Sequence, residues 1–371
     1  MTRPTLVLDV GSFSLKAGLS TDEVPHEIRS VVGRSRLAPG GPAKPYVGDS
    51  ALALGNSVTI SEPIAEGIIE DMDDFELLLD FVYSVTSAGG APVVVAEPTF
   101  NSGPKREEIT ELLFETFSVP EMNITLQGIL TLVGTGRVTG LVVDCGHGSC
   151  QTMPIFESYV LPHSISNLRL GGRDLDVLLA KLIALQNVSL TKSGDRESVR
   201  RIKHNLCFAR ESPDAEMTAP PAVYQLPDGQ TISLGEERYI PAEAYFTPSL
   251  VGTEGNGLAE LVADCLKNSP IDLTRPLVSN IILAGGSSLF PGFAQRLTAE
   301  IKYRVAAKMS REVKIVASDD RHLSTWVGGR AFADLKDSFA ERWMSKEEYE
   351  EYGPQHIHSK VMSHRNSSPP G

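Results

Sequence analysis

Four cysteines in 371 residues are too few for a disulfide scaffold, and Cys145, Cys150, Cys207 and Cys265 lack the paired spacing of a zinc site. Reduced thiols are expected, and packing rather than redox chemistry for Cys145 and Cys150, which flank one glycine turn. Positive charge is also scarce: 34 Lys and Arg stand against 47 Asp and Glu, a formal net charge of −13. That balance excludes wholesale binding to nucleic acid or to an anionic membrane surface. No apolar run approaches the roughly 20 residues of a membrane span. The N-terminus carries one arginine before a short strand pattern, which is not a signal peptide. Asn-x-Ser/Thr at Asn123, Asn187 and Asn366 is read as chance. An intracellular chain, cytoplasmic or nuclear, is the expectation.

What the chain does have is one short phrase written twice. Leu6-Val7-Leu8-Asp9-Val10-Gly11-Ser12 returns as Leu141-Val142-Val143-Asp144-Cys145-Gly146-His147. Each copy is an apolar β-run, an Asp at its end, one spacer and a Gly. A strand that delivers a carboxylate to a glycine turn suits a metal ion through the Asp and phosphate oxygens through the turn's N–H groups. At this length, two or more lobes are the prior.

Strand and helix patterns alternate through both halves, which argues α/β with mainly parallel central sheets and a ligand site between two lobes. Residues 5–10 read as a strand with a return arm at Lys16-Ala17-Gly18-Leu19. The stretch 33–45, rich in Gly, Pro and basic residues, reads as a surface loop. Helices are predicted from Asp73 to Tyr83, Lys105 to Phe117, Asp174 to Gln186, Asp195 to Phe208, Leu258 to Lys267 and Thr325 to Leu335. A buried helix interrupted by Gln127 is predicted over Ile124 to Val133. Strands are predicted at 92–96, 280–284 and 313–317, a turn at Pro227-Asp228-Gly229, and a helix from Pro291 to about Val305. The tail Ser363 to Gly371 is polar and is expected to be disordered.

Four segments form one candidate site. The first turn contributes Asp9, Gly11, Ser12 and Lys16, and the second Asp144, Gly146, His147 and Gly148. Gly285-Gly286-Ser287 lies at a strand-to-helix junction, where backbone approaches a flat base or sugar closely. Arg200 and Lys203 share one face of a basic helix.

These stretches, in this order, resemble the actin and actin-related family over roughly the full length. The resemblance is carried by Asp9-Val10-Gly11-Ser12 with Lys16-Ala17-Gly18, Tyr46-Val47-Gly48-Asp49, and Pro63-Ile64 with Gly67-Ile68-Ile69-Glu70-Asp71. Phe114-Glu115-Thr116-Phe117, Gly140-Leu141-Val142-Val143-Asp144, Tyr159-Val160-Leu161-Pro162-His163 and Gly172-Arg173-Asp174-Leu175 continue it. Leu226 to Gln230, Ala284-Gly285-Gly286 with Pro291-Gly292, Trp326-Val327-Gly328-Gly329 and Ser345 to Tyr349 complete it.

The resemblance implies an actin-like ATPase fold: two ribonuclease-H-like lobes around ATP or ADP and a divalent cation, Mg2+ or Ca2+. It implies an outer lobe of 1–134 plus 324–371, with a small subdomain at 31–62, and an inner lobe of 135–323, with a small subdomain at 171–253. Asp9 and Asp144 would hold the cation through its waters. Gly11, Ser12, Phe13, Ser14, Leu15, Lys16, Gly146, His147, Gly148 and Ser149 would line the phosphates. Gly172, Arg200, Lys203, His204, Gly285, Gly286, Ser287 and Leu289 would meet the rest of the nucleotide. Gln127 matches the glutamine that orients the attacking water; its residue-level reading is a hydrogen-bonded core amide.

Several positions depart from the family pattern. His147 stands where an acid is usual, and an imidazole cannot accept from metal waters as a carboxylate does. Losing one such group costs on the order of 10²–10³ in rate. Gln151 stands where hydrolysing members tend to have histidine. Phe13 replaces a glycine, which costs roughly 1–2 kcal/mol if that position needs a positive φ. His204 replaces the acid that holds the ribose, and His322 a lysine near the base. The loop 36–46 is shortened, with Leu37 and Ala38 its apolar anchors, 218–224 is abbreviated, and 250–257 is polar. The resulting expectation is a divergent actin-related protein, a cytoskeletal or complex subunit in the cytoplasm with slow or absent hydrolysis. Its partners would be other actin-family or cytoskeletal subunits, with no direct nucleic acid and no membrane. The alternatives are a polymerising cytoskeletal actin with weak ATPase activity and a nuclear chromatin-complex subunit.

Overall fold

Both copies of the repeated phrase become central strands in a computed structural model that describes residues 3–35, 45–186, 188, 193–213, 215, 220–226 and 229–361. Residues 36–44 of the shortened loop, 218 and 219 of the abbreviated region, Pro227 and Asp228 of the turn, Asn187, and the tail 363–371 lie outside the described residues. Contacts divide the chain into two units. Unit 1 is Met1–Thr139, Ile155–Pro162 and Leu323–Gly371, and unit 2 is Gly140–Pro154 and His163–His322.

Unit 1 opens with β1 (Leu6–Asp9), β2 (Ser14–Leu19), β3 (His26–Arg29), β4 (Val32–Ser35), β5 (Tyr46–Val47) and α1 (Asp49–Ala53). β6 (Val58–Ser61), β7 (Ile64–Ala65), β8 (Ile68–Ile69), α2 (Met72–Thr86), β9 (Val93–Glu97) and α3 (Gly103–Glu111) follow. A π-helical turn extends α3 over Leu112–Thr116, and then come β10 (Glu121–Leu126) and α4 (Gln127–Gly134).

The chain next forms β11 (Gly140–Cys145), β12 (Cys150–Phe156), β13 (Tyr159–Val160), β14 (Ser166–Leu168), α5 (Gly172–Ala184) and α6 (Ser193–Leu206). Unit 2 continues with the hairpin β15 (Ala222–Gln225) and β16 (Thr231–Leu234), then α7 (Ile240–Glu243), α8 (Leu258–Asn268) and α9 (Ile271–Val278). β17 (Ile281–Ala284), α10 (Phe293–Arg304), α11 (Ala307–Ser310) and β18 (Ile315–Val316) end it. Back in unit 1 are α12 (Ser324–Asp334), β19 (Met344–Ser345), α13 (Lys346–Tyr352) and α14 (Ile357–Lys360).

The main sheet of unit 1 runs β19-β10-β9-β1-β2-β3. β1 is antiparallel to β2 and parallel to β9, with Asp9 opposite Ala96. In unit 2 the order β12-β11-β17-β18 repeats this plan, and β14 also pairs β12. β11 is parallel to β17, with Asp144 opposite Ala284. In both sheets the aspartate therefore sits at the carboxyl end of a parallel pair, where α/β sheets place their ligands. Apolar strands with both faces covered hold this plan: Leu6, Leu8, Leu15, Phe75, Leu78, Leu79 and Phe114 lie in the core of unit 1. Leu141, Val143, Leu179, Val262 and Ile281 are buried in unit 2.

Three expectations are corrected. Ile124 to Val133 is not one helix: β10 ends at Leu126 and α4 starts at Gln127. Residues 33–35 are not loop but strand β4, with Gly33 packed against Ala51 and Val58. Pro291 precedes α10 rather than opening it, because Gly292 takes a left-handed conformation as the N-cap.

Arg34 on β4 reaches fully buried Asp74 on α2 through two hydrogen bonds, one of them 3.1 Å from Nη1 to Oδ2. Burial pushes the Asp74 carboxyl up, but hydrogen bonds from Arg34 and Ser61 and the Arg34 charge outweigh it and hold it below its ordinary value. A lowered folded-state value means stability that is present above about pH 4 and is lost as acid protonates the folded carboxylate. Arg34→Met should therefore lower stability near neutrality by about 1–3 kcal/mol, discounted because Arg34 is half exposed. The deficit should shrink toward about pH 3 in melts followed by circular dichroism. A deficit that grows on acidification would contradict the pairing.

Candidate functional site

In unit 1, the end of β1 and the turn to β2 form a small polar cluster around Asp9. Lys16, directly across the hairpin from Asp9, places Nζ 3.5 Å from its Oδ2. Gln127, at the first position of α4, donates from Nε2 to Asp9 Oδ1 and to the Val10 carbonyl, both at 3.2 Å. The turn is tight: a Cβ on Gly11 would lie 2.7 Å from the Ser14 carbonyl oxygen. Ser12 Oγ accepts from Gly67 N–H at 2.8 Å, and Ser30 donates to the Gly11 carbonyl at 2.6 Å.

Phe13 is not among the residues with positive φ, so the strain expected there is absent. Its ring lies 4.0 Å from the Arg29 guanidinium, a cation–π contact. Leu15 is fully buried in the core and Ser14 is buried.

In unit 2, the turn after β11 is held by the helix that follows it. Gly146 N–H donates across the turn to Ser149 at 2.9 Å. The carbonyls of Gly146 and His147 accept from Gly172 and Arg173 N–H at 3.0 and 2.9 Å, so the first amides of α5 are satisfied by the turn itself. Ser287 adds a hydroxyl bond to Gly146 O at 2.9 Å. The approach is close enough that a Cβ on Gly171 would sit 2.3 Å from His147 O. At Gly285, φ is +83° and a Cβ would lie 2.3 Å from Asp144 Oδ1, so Asp144 is laid directly over the glycine pair. Gly286 has His322 beside it.

Around Gly172 the side chains of Ser287, His147 and Lys203 converge, all within 3.3 Å of where a Cβ would stand. Lys203 is buried; its ammonium donates to Gly172 O at 2.7 Å and lies 2.6 Å from Asp176 Oδ1. Arg200 Nε is 3.3 Å from Asp176 Oδ2. Both cations assigned to the nucleotide are therefore paired with an acid of the neighbouring helix. His204, by contrast, is exposed, and Leu289 is half exposed at the end of the glycine loop.

The sequence reading missed Asp176, Gly171 and Arg321. Asp176 lies one helical turn beyond Gly172 on the same face, a spacing that marks it as a neighbour of that glycine. Arg321 is buried and clamps the glycine loop, from Nε to Ser288 Oγ at 2.9 Å and from Nη1 to Ser318 O at 2.7 Å, while Gly285 N–H donates to its carbonyl at 3.2 Å. Nothing local in the sequence marks it.

The cysteine expectation is also corrected. Cys145 and Cys150 are joined as a disulfide across the second turn, with Cα atoms 4.2 Å apart, because β11 and β12 bring the residues bracketing a four-residue turn opposite each other. Cys207 and Cys265 remain thiols, both buried, and burial pushes each up to about 12.

The donor sets suit a phosphorylated ligand with a water-held cation. Among the described residues no three His, Cys, Asp or Glu side chains converge as a metal cage. Each unit instead offers a single carboxylate, Asp9 or Asp144, beside a glycine turn. The family model described as Actin matches residues 2–362 of the 371, and the chain belongs to the actin family.

Proposed function

We propose that this chain is a divergent actin-related protein that binds ATP or ADP with Mg2+ or Ca2+, and that both glycine turns contribute to that binding. It serves as a subunit or filament-end component of a larger cytoskeletal assembly, and nucleotide turnover is slow or absent. The observation that carries the reading is the second turn. Its Gly146 and His147 carbonyls are held by α5 and Ser287, which supports a fixed phosphate-binding turn, yet position 147 carries a histidine instead of a carboxylate. Binding rests on backbone and glycine geometry and survives that change, whereas water activation does not.

In this reading Asp9 and Asp144 would hold the cation through its waters, and the cation would neutralise phosphate charge. Lys16, close to Asp9, balances the remaining negative charge. Gln127 is fixed through its amide nitrogen, and its carbonyl oxygen is the atom that would accept from an attacking water. A ligand that binds only the folded chain also adds RT ln(1 + [L]/Kd) to stability, so the nucleotide has a structural role without turnover.

Native purification followed by mass spectrometry of the released small molecules and co-purifying proteins tests this reading. The expected result is near one adenine nucleotide per chain together with other actin-family or cytoskeletal subunits. A chain that carries no nucleotide and takes up neither Mg-ATP nor Mg-ADP on addition would overturn it.

A further inference from the structure

Resting on that reading, we propose that Asp176 is a positioning residue of the nucleotide site: its two oxygens fix the Lys203 ammonium and the Arg200 guanidinium under the N-terminus of α5. The anionic ligand then meets held cations and not mobile ones. Three observations support this. Lys203 is buried, donates to Gly172 O at 2.7 Å and is ion-paired with Asp176 Oδ1 at 2.6 Å, both on α5. Arg200 takes the other oxygen of the same carboxylate at 3.3 Å. The bridged carbonyl belongs to Gly172, whose N–H in turn braces the phosphate-type turn at Gly146. Asp176 is thus tied to the turn through one lysine and one glycine.

The carboxylate also governs protonation. Burial pushes the Lys203 ammonium down, and the charge and hydrogen bond of Asp176 act against it. The other groups facing this ammonium are Arg200 on α6, Cys207 just after it and His147 of the turn, which shares the space over Gly172. Arg200 works against the lysine's charge, and Cys207, pushed up to about 12, keeps its proton. Without Asp176, burial and Arg200 act together, and Lys203 loses its proton at a lower pH.

The test is the affinity of the full chain for Mg-ADP, by displacement of a fluorescent nucleotide, from about pH 7.5 to 9.5, above the ordinary range of an imidazole. Relative to wild type, Asp176→Asn should bind more weakly as pH rises, by about tenfold or more at the upper end, the worth of a charged hydrogen bond. Asp176→Glu should recover most of the wild-type profile. A binding-competent wild type with the same pH profile in Asp176→Asn overturns this inference alone, whereas a wild type that binds no nucleotide overturns the nucleotide reading and this one with it. Should Asp176→Asn fail to fold, the pair Asp176→Asn/Lys203→Gln removes both charges together. It should bind about tenfold more weakly at every pH with no slope, and wild-type affinity in that pair would equally overturn the inference.

Discussion

Gly328→Ala is expected to cost about 3 kcal/mol or more, the upper part of the range for overpacked cores. Gly328 lies on α12, which packs along α4 inside unit 1. A Cβ there would stand 1.7 Å from the Leu130 carbonyl oxygen and 2.3 Å from its carbon. These are backbone atoms of a hydrogen-bonded helix, and no rotamer change moves them. On the facing helix, Gly134 is also close, with its Cβ position 3.0 Å from Gly328 N. The two helices approach through glycine, while Trp326 of α12 is fully buried beside Gly18 of β2.

Relief would require separating α12 from α4, which opens the packing of α12 against β1 and so bears on the strand that ends in Asp9. Gly89→Ala is the control: nothing lies within 4 Å of its Cβ position and its φ is not positive. That change should be neutral or slightly stabilising through the unfolded chain. Thermal melts of both variants check the contrast. A Gly328→Ala chain melting within about 2 °C of wild type would mean that the α4–α12 contact is far more yielding than its geometry.

The parts of the fold that were legible in the sequence are those written in local pattern. Leu6 to Asp9 and Leu141 to Asp144 are short apolar runs closed by an acid and a glycine turn, and each is a central strand. The helices over 72–86 and 172–184 follow from one apolar stripe apiece. Ile124 to Val133 failed because it is apolar on nearly every side. Periodicity cannot separate a doubly covered strand from a buried helix, and the boundary at Gln127 is set by pairing with β9. Gly33 to Ser35 failed because glycine and arginine read as loop. Tertiary structure uses both: Gly33 gives room to Ala51, and Arg34 neutralises Asp74.

The site divides in the same way. Turn glycines and terminal aspartates are legible, since each is a local backbone requirement. The pairing of Asp176 with Lys203 and Arg200 joins two helices across a connection of several residues, and the Arg321 clamp reaches back to Ser288. Such contacts leave no spacing in the sequence. They also revise what the basic helix means, because Arg200 and Lys203 are both paired with Asp176.

His147→Asp is expected to raise magnesium-dependent ATP hydrolysis on the order of 10²-fold, the weight of one electrostatic group placed at a reacting centre. The turn has supports that do not involve the side chain at 147. Gly146 closes the turn to Ser149, Gly172 and Arg173 N–H groups hold its carbonyls, and Ser287 caps Gly146. These bonds remain when the side chain at 147 becomes a carboxylate. A carboxylate accepts from cation-bound waters, whereas an imidazole at best donates to phosphate. Nucleotide affinity should change much less than the rate, since the cradle is backbone. Chelating the magnesium should abolish the gain, which separates it from contaminating hydrolysis. Gln151→His adds a second lever, because Gln151 lies on β12 just past the turn, with Nε2 3.5 Å from Ser149 Oγ. If the two groups act on one water, the double variant should exceed the product of the single gains. Phosphate release unchanged in both His147→Asp and the double variant would show that hydrolysis is limited elsewhere, and residue 147 would lose its place in the account of slow turnover.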